Sequence, residues 1–251
     1  MMMRRSVFLP LLSSLALILI WSGLAYVLQS RYLPSPADVA SAFLGELTSG
    51  ALLFHIGATC LRVMGAFCIA IICGTAIGFA LGRSPKANLI FDPWLIFALN
   101  LPALVIIVFC YLWLGLTETA AIIAVALNKI PNTAVTMREG ARALDPALDE
   151  VATVFGYSGW SKFNHFILPQ LEPFLASAIR NGLALIWKIV LVVELIGRSN
   201  GVGFQINFFF AQFDLARIIV YTLSLMVIVG LIEALVIKPW ENHARAWRGD
   251  S

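Results

Sequence analysis

Apolar and polar positions fall along this chain in long blocks. Six apolar runs, at about 7–28, 57–81, 91–114, 118–137, 171–196 and 218–237, dominate the sequence. A helix rising 1.5 Å per residue needs about twenty residues to cross a ~30 Å hydrocarbon layer. The blocks therefore predict an all-α integral membrane protein with about six transmembrane helices. Between the first two runs, segment 31–54 holds a Leu33-Pro34-Ser35-Pro36 turn. It then predicts a surface helix over 37–47, with Val39, Ala40, Phe43, Leu44 and Leu47 on the apolar face. The second run carries Ala70, Gly74, Gly78 and Gly82, a small residue at every fourth position, which predicts close approach of another helix. Pro102 is expected to kink the third run. Segment 197–217, rich in Gly and Phe, is expected on the outer face and partly back in the membrane.

The longest polar interruption, 138–169, separates the fourth and fifth runs. Asp145 suits an N-cap and Pro146 a first helical position, so a short helix is predicted to start there. Gly156 is placed to end it as a left-handed residue. Val151, Val154 and Phe155 share one face of that helix. After Tyr157-Ser158-Gly159, a second short helix presents Trp160 and Phe163 until Leu168-Pro169 breaks it. These residues alone leave two readings: a loop dipping into lipid headgroups, or a docking knob for a cytoplasmic partner.

Composition agrees with the block pattern. Hydrophobic residues make up 60% and charged residues 12%, against roughly a quarter charged in soluble domains; mean hydropathy is +0.89. The apolar run after the basic start Met1–Arg5 is longer than a signal-peptide core, so it is read as an uncleaved first span. The net charge of +3 gives no reason to invoke nucleic acid. Cys60, Cys68, Cys73 and Cys110 lie inside apolar runs, without metal or redox spacing. No nucleophile elbow, phosphate-cradling loop or paired carboxylate is present, so the chain is not expected to be an enzyme and no metal or cofactor is expected in it. With the N-terminus inside, Arg4, Arg5, Arg83, Lys86, Arg138, Arg142, Lys162, Lys238, Arg245 and Arg248 fall on the inner side. Arg31, Arg198 and Arg217 fall on the outer side. This asymmetry places both termini and the 138–169 loop in the cytoplasm.

Glu150-Val151-Ala152, Gly156, Ile167 and Leu168-Pro169 resemble the "EAA" loop of bacterial binding-protein-dependent ABC importer permeases, with Val151 in place of the first alanine. Leu33-Pro34-Ser35-Pro36, Gly140, Arg142, Asp145-Pro146, Trp187 and Glu194 extend the likeness toward the nitrate, sulfonate and taurine branch over nearly the whole chain. The resemblance implies a single permease domain, 1–251, of type I importer-like fold in a bacterial inner membrane. It implies a homodimer with two cytoplasmic ATPase subunits, which hold ATP and Mg, and a periplasmic or lipid-anchored substrate-binding protein. The coupling helix would comprise Asp149, Glu150, Ala152, Val154, Phe155, Gly156 and Tyr157. The substrate suggested is a small anion or organic acid.

Charged residues inside the runs each cost roughly 2.5–3.5 kcal/mol at a helix centre on insertion scales, so a bundle-facing or water-facing role is the default. Arg62 and Glu233 lie near span ends and are expected to snorkel. Glu194 is expected in a gate, in packing, or in a polar contact at a helix end. Lys129 and Lys188 lie at similar expected depths and form either a positive ring along an anion path or stabilising pairs with Glu194, Glu233 or a carbonyl. The competing function class is an ATP-independent secondary transporter or channel. Such proteins tend to show inverted repeats with paired broken helices, and the two halves here show no such correspondence.

Overall fold

The computed structural model describes residues 2–30 and 32–239. Arg31, Arg245 and Arg248, which entered the charge count, lie outside the described residues. Every regular element among those described is helical: α1 (Met2–Leu28), α2 (Pro36–Thr48), α3 (Ala51–Arg83), α4 (Pro85–Asn100), α5 (Ala103–Leu114), α6 (Glu118–Arg142), α7 (Pro146–Val154), α8 (Gly159–Lys162), α9 (Leu168–Gly197), α10 (Val202–Ala211) and α11 (Leu215–Ile232). A π-helical turn, Phe163–Ile167, joins α8 to α9, and another, Glu233–Ile237, extends α11.

Among the described residues three helices, Ala51–Arg83, Glu118–Arg142 and Leu215–Leu235, are long and apolar enough to cross a membrane. Helix α9 has thirty residues, about 45 Å at 1.5 Å per residue, but Glu172, Arg180, Lys188 and Glu194 interrupt its apolar character. The 91–114 span needs correction. It is two helices, α4 and α5, bent by 94° at Leu101-Pro102. Pro102 forces Leu101 out of helical conformation, and Leu101 is extended with ψ 125°. Among the described residues, a fourth helix of this kind is counted if the broken pair is taken as one.

Helices α3, α6 and α9 form the centre of the bundle. The expected ladder faces α6. A Cβ on Gly74 would lie 2.5 Å from Thr133 Cβ, one on Gly78 2.8 Å from Met137 Cβ, and one on Gly82 2.5 Å from Ala141 Cβ. Such distances are below van der Waals contact, so only glycine permits this approach. Ala66, Ala70, Ala120, Ala121 and Ala124 continue the small-residue packing and are buried.

Helix α2 begins where the LPSP turn places it. The Ser35 hydroxyl accepts from Asp38 N at 3.2 Å, and Asp38 Oδ2 accepts from Ser35 N at 2.9 Å, closing a capping box. These bonds to Ser35 hold the Asp38 carboxyl below its usual pKa. The segment after α9 folds back as α10 against α9, α3 and α11, burying Val202, Gly203, Gln205 and Phe209. Helix α6 runs five residues past the expected end at 137, to Arg142. Leu168-Pro169 does not break the chain as expected. Helix runs on from Gly159 to Gly197, and the π-helical turn Phe163–Ile167 lies immediately before Leu168-Pro169, where the regular hydrogen-bond ladder is already shifted.

Candidate functional site

Two polar constructions stand at opposite ends of the bundle. At one end, α7 is a short helix with both ends fixed by sequence. Asp145 Oδ1 accepts from Ala147 N at 2.8 Å, and Pro146 opens the first turn. Gly156 has φ +74°. Its N–H donates to Thr153 O at 3.1 Å, and Tyr157 N–H donates to Ala152 O at 2.8 Å, the two bonds of a Schellman ending. Asp145 N–H also donates to Gln170 Oε1 at 2.8 Å, tying the start of α7 to the start of α9.

Ala152 is fully buried and seats α7 on the protein. Val151, Val154, Phe155 and Trp160 point away from it; Val154 is 83% and Phe155 73% exposed. Glu150 is exposed. Asp149 is less available than the sequence suggested. Its Oδ1 lies 2.9 Å from Lys162 Nζ, an ion pair linking α7 to α8. Tyr157 remains 39% exposed but packs edge-on to Phe166, with ring centroids 5.1 Å apart. The knob is thus a rigid apolar face with one free carboxylate, held by a cap, a Schellman turn and an ion pair.

At the other end lies a buried polar network that the sequence reading did not assemble. Arg62 is 3% exposed and does not snorkel as expected. Its Nε and Nη2 donate to the two carboxylate oxygens of Glu118, both at 2.7 Å, and Nη1 donates to Glu194 Oε1 at 2.6 Å and to Asn200 O at 3.0 Å. Its Nη2 also meets Asn200 Oδ1. Glu194 is fully buried and accepts further from Thr59 Oγ1 at 2.9 Å and Gly203 N at 2.8 Å. Of the roles considered for Glu194, the geometry shows the polar contact at a helix end, in the last turn of α9, fully buried and paired with Arg62. Arg198 adds a second cation on Glu118 and donates to Leu116 O.

The network fixes the turn into α10. Val202 N–H donates to Thr59 Oγ1 at 2.9 Å, and Gly201 N–H to His55 Nδ1 at 3.0 Å. Since Nδ1 accepts, His55 carries its proton on Nε2, which faces the Gln205 side-chain amide; the amide orientation that pairs with it presents Oε1. Gly201 has φ +105°, and a Cβ there would collide with the Glu194 carboxylate. One signal of this assembly was legible: an arginine and a glutamate within apolar runs of opposite direction must find partners.

Lys129 and Lys188 are not brought together within the chain. Lys129 is 4% exposed, with its Cε beside Gly182, where a Cβ would lie 3.1 Å away. Lys188 is exposed, two turns along α9 from Gly182. Glu233 is exposed and, with Arg180 and Trp187, lines a small cleft between α9 and α11. The free cysteines form no disulfide, and no cluster of metal-ligating side chains occurs among the described residues.

Comparison with known proteins supports one interpretation. Residues 66–237 match the family model described as binding-protein-dependent transport system inner membrane component. A permease protein of Escherichia coli (strain K12) named for aliphatic sulfonates transport, SsuC, is 31% identical over 177 residues, covering 70% of this chain and 67% of its own. The taurine transport system permease protein TauC of the same organism is 23% identical, over 98% of this chain and 92% of its own. A crystal structure of an amino acid ABC transporter chain superposes with a TM-score of 0.62 at 19% identity, covering 80% of this chain and 98% of that one, which shows the fold alone. The chain belongs to the binding-protein-dependent inner-membrane component family, as a non-enzymatic permease subunit of an ABC importer of the sulfonate and taurine branch.

Proposed function

We propose that α7 is the element through which this permease is driven, by seating in a cleft of a cytoplasmic ATPase. The observation that carries this reading is the exposure of Val154 and Phe155 on a helix that is capped at both ends. Large apolar side chains held rigidly outside a folded surface mark an interaction site. Glu150 supplies a charge that sets register against a basic group. The working unit is two copies of this chain with two ATPase subunits that bind ATP and Mg, and a substrate-binding protein on the opposite face. ATPase closure moves the two α7 knobs together, and the rigid link through Asp145 and Gln170 passes that motion to α9.

In this reading α7 and both termini are cytoplasmic, as the positive-inside asymmetry requires. Relatives named for sulfonates and taurine support a small anionic or organic-acid substrate, and Lys129 and Lys188 are proposed to act along its path. The test is Phe155→Asp with Val154→Asp. Both side chains are exposed, so the bundle should fold and insert normally. ATPase co-purification should fall at least tenfold, since each lost apolar anchor removes about 1.5–3 kcal/mol of burial. Undiminished co-purification of the double variant at matched membrane levels would show that the ATPase docks elsewhere.

A further inference from the structure

The surface of the bundle at mid-depth is apolar except on one side. Helix α3 exposes Leu61, Met64 and Ile72, and α11 exposes Leu223, Met226, Val227 and Leu231. Helices α6 and α9 differ. On α6, Asn132 is exposed, and Asn128 and Thr136, one turn to either side, are half-buried. On α9, Ser177, Asn181, Ala184 and Lys188 are exposed, and the Asn181 amide donates along the stripe to Ser177 Oγ at 3.4 Å. The side-chain amide of Asn132 has no partner among the described residues.

Helical geometry places both stripes on the same side. Helix α3 meets α6 through Thr133, Ala134, Met137 and Ala141, and meets α9 through Gly182 and Glu194. At 100° per residue, Asn128 and Asn132 lie roughly opposite the first set, and Ser177, Asn181 and Lys188 roughly opposite the second. Helix α3 backs both, so the stripes open together on the side that α3 leaves free. Asn132 lies about 21 Å along α6 from Glu118, near the middle of a ~30 Å hydrocarbon layer. An asparagine there is too short to reach the headgroups, so hydrocarbon is not its environment.

We infer that the α6–α9 face carrying Asn128, Asn132, Ser177, Asn181 and Lys188 is the water-lined wall against which the transported solute passes and is selected. This rests on the permease reading. The wall offers amide and hydroxyl groups and the Lys188 ammonium, and at its α11 edge Asn181 and Ala184 share a cleft with one further cation, Arg180, and one carboxylate, Glu233. The nearest carboxylate along the α6 stripe, Glu139, is occupied by Arg138 and Arg142, each at 3.2 Å. Lys129 is buried in the seam behind the wall, its Cε packed against Gly182, which the Phe67 ring also approaches. The chemistry suits a solute whose oxygens accept hydrogen bonds and carry negative charge. Within that class, Asn132 and Asn181 set orientation and Lys188 sets charge preference.

The test uses the full chain in its own membranes, with Cys60, Cys68, Cys73 and Cys110 replaced by alanine. Single cysteines are placed by Asn132→Cys and Asn181→Cys, with Ile72→Cys and Met226→Cys as lipid-facing controls. The probes are an anionic and a cationic membrane-impermeant methanethiosulfonate. The stripe thiols should react at least about tenfold faster than the controls, because the thiolate forms only in water. At Asn181→Cys, the anionic probe should be favoured about threefold to fourfold, from one charge acting across ~10 Å of water. Adding Lys188→Met should erase that preference. Stripe thiols as inert as the controls would overturn the inference. So would Asn132→Cys thiols that cross-link between copies and exclude both probes, since the stripe would then be a dry interface. Co-purification of the ATPase with the unaltered chain, from the same membranes, checks the permease reading separately.

Discussion

Replacing Arg62 with methionine should be the most damaging single change in the bundle that leaves its volume nearly intact. Arg62 bridges three elements, with bonds of 2.6–2.7 Å to Glu118 and Glu194 and a 3.0 Å bond to Asn200 O. Its loss leaves Glu194, fully buried, with donors only from Thr59 and Gly203. Glu118 loses less, because it is partly exposed and keeps Arg198. Removing one member of a buried ion pair costs about 3–5 kcal/mol, mostly from the charge left behind. In a chain of this size each kcal/mol moves a melting midpoint by about 2–4 °C, so a fall of roughly 6–20 °C is expected.

The cause can be isolated by adding Glu194→Gln. The glutamine keeps the shape and still accepts from Gly203 and Thr59, but removes the orphaned charge. Arg62→Met with Glu194→Gln should therefore melt higher than Arg62→Met alone, by about 1–3 kcal/mol of coupling. The assay is the apparent midpoint of detergent-purified protein, read as the surviving monodisperse peak after heating. An Arg62→Met midpoint within a degree or two of wild type would refute the reasoning. So would a double variant whose loss equals the sum of the two singles, because the charges would then not be acting on each other.

Three further outcomes follow from the geometry. Gly156→Val puts a β-branched residue at φ +74°, at a cost of about 1–3 kcal/mol that exceeds what the exposed turn gains by staying formed, so the turn opens locally; ATP-driven uptake should fall while the amount and melting of the inserted bundle hold, and wild-type uptake would count against a role for the Schellman turn. Gly74→Leu with Gly78→Leu drives side chains into Thr133 and Met137 and should lower the melting midpoint or abolish the monodisperse peak, whereas an unchanged profile would mean that α3 and α6 can separate freely. Lys129→Met keeps the length of a side chain that is 4% exposed and removes its desolvated charge, so the midpoint should rise by several degrees; a fall would show that the ammonium is held by a group that needs it.

Several local instructions were legible in the sequence. The Asp145 cap, Pro146 in the first turn, left-handed Gly156 and the glycine ladder of α3 each act within a few residues or one helix face, and the folded chain uses each as expected. Block hydropathy likewise fixed the class, since it depends only on how much apolar side chain each segment carries. The family likeness in the 138–169 loop is of the same kind, a run of residues readable in order.

What tertiary structure decided depends on the relative register and rotation of helices far apart in sequence. Arg62 looked able to snorkel because its position near a helix end was visible, while its partners Glu118 and Glu194 stand 56 and 132 residues away. Lys129 and Lys188 looked alike by depth along their own helices. Rotation about the helix axes then buried one beside Gly182 and left the other on the open face. Pro102 announced a bend without its 94° magnitude, and Asp149 looked free until folding brought Lys162 to it. Depth along a helix is linear in residue number and can be read from sequence, whereas the direction a side chain faces has meaning only once a neighbouring helix occupies one side.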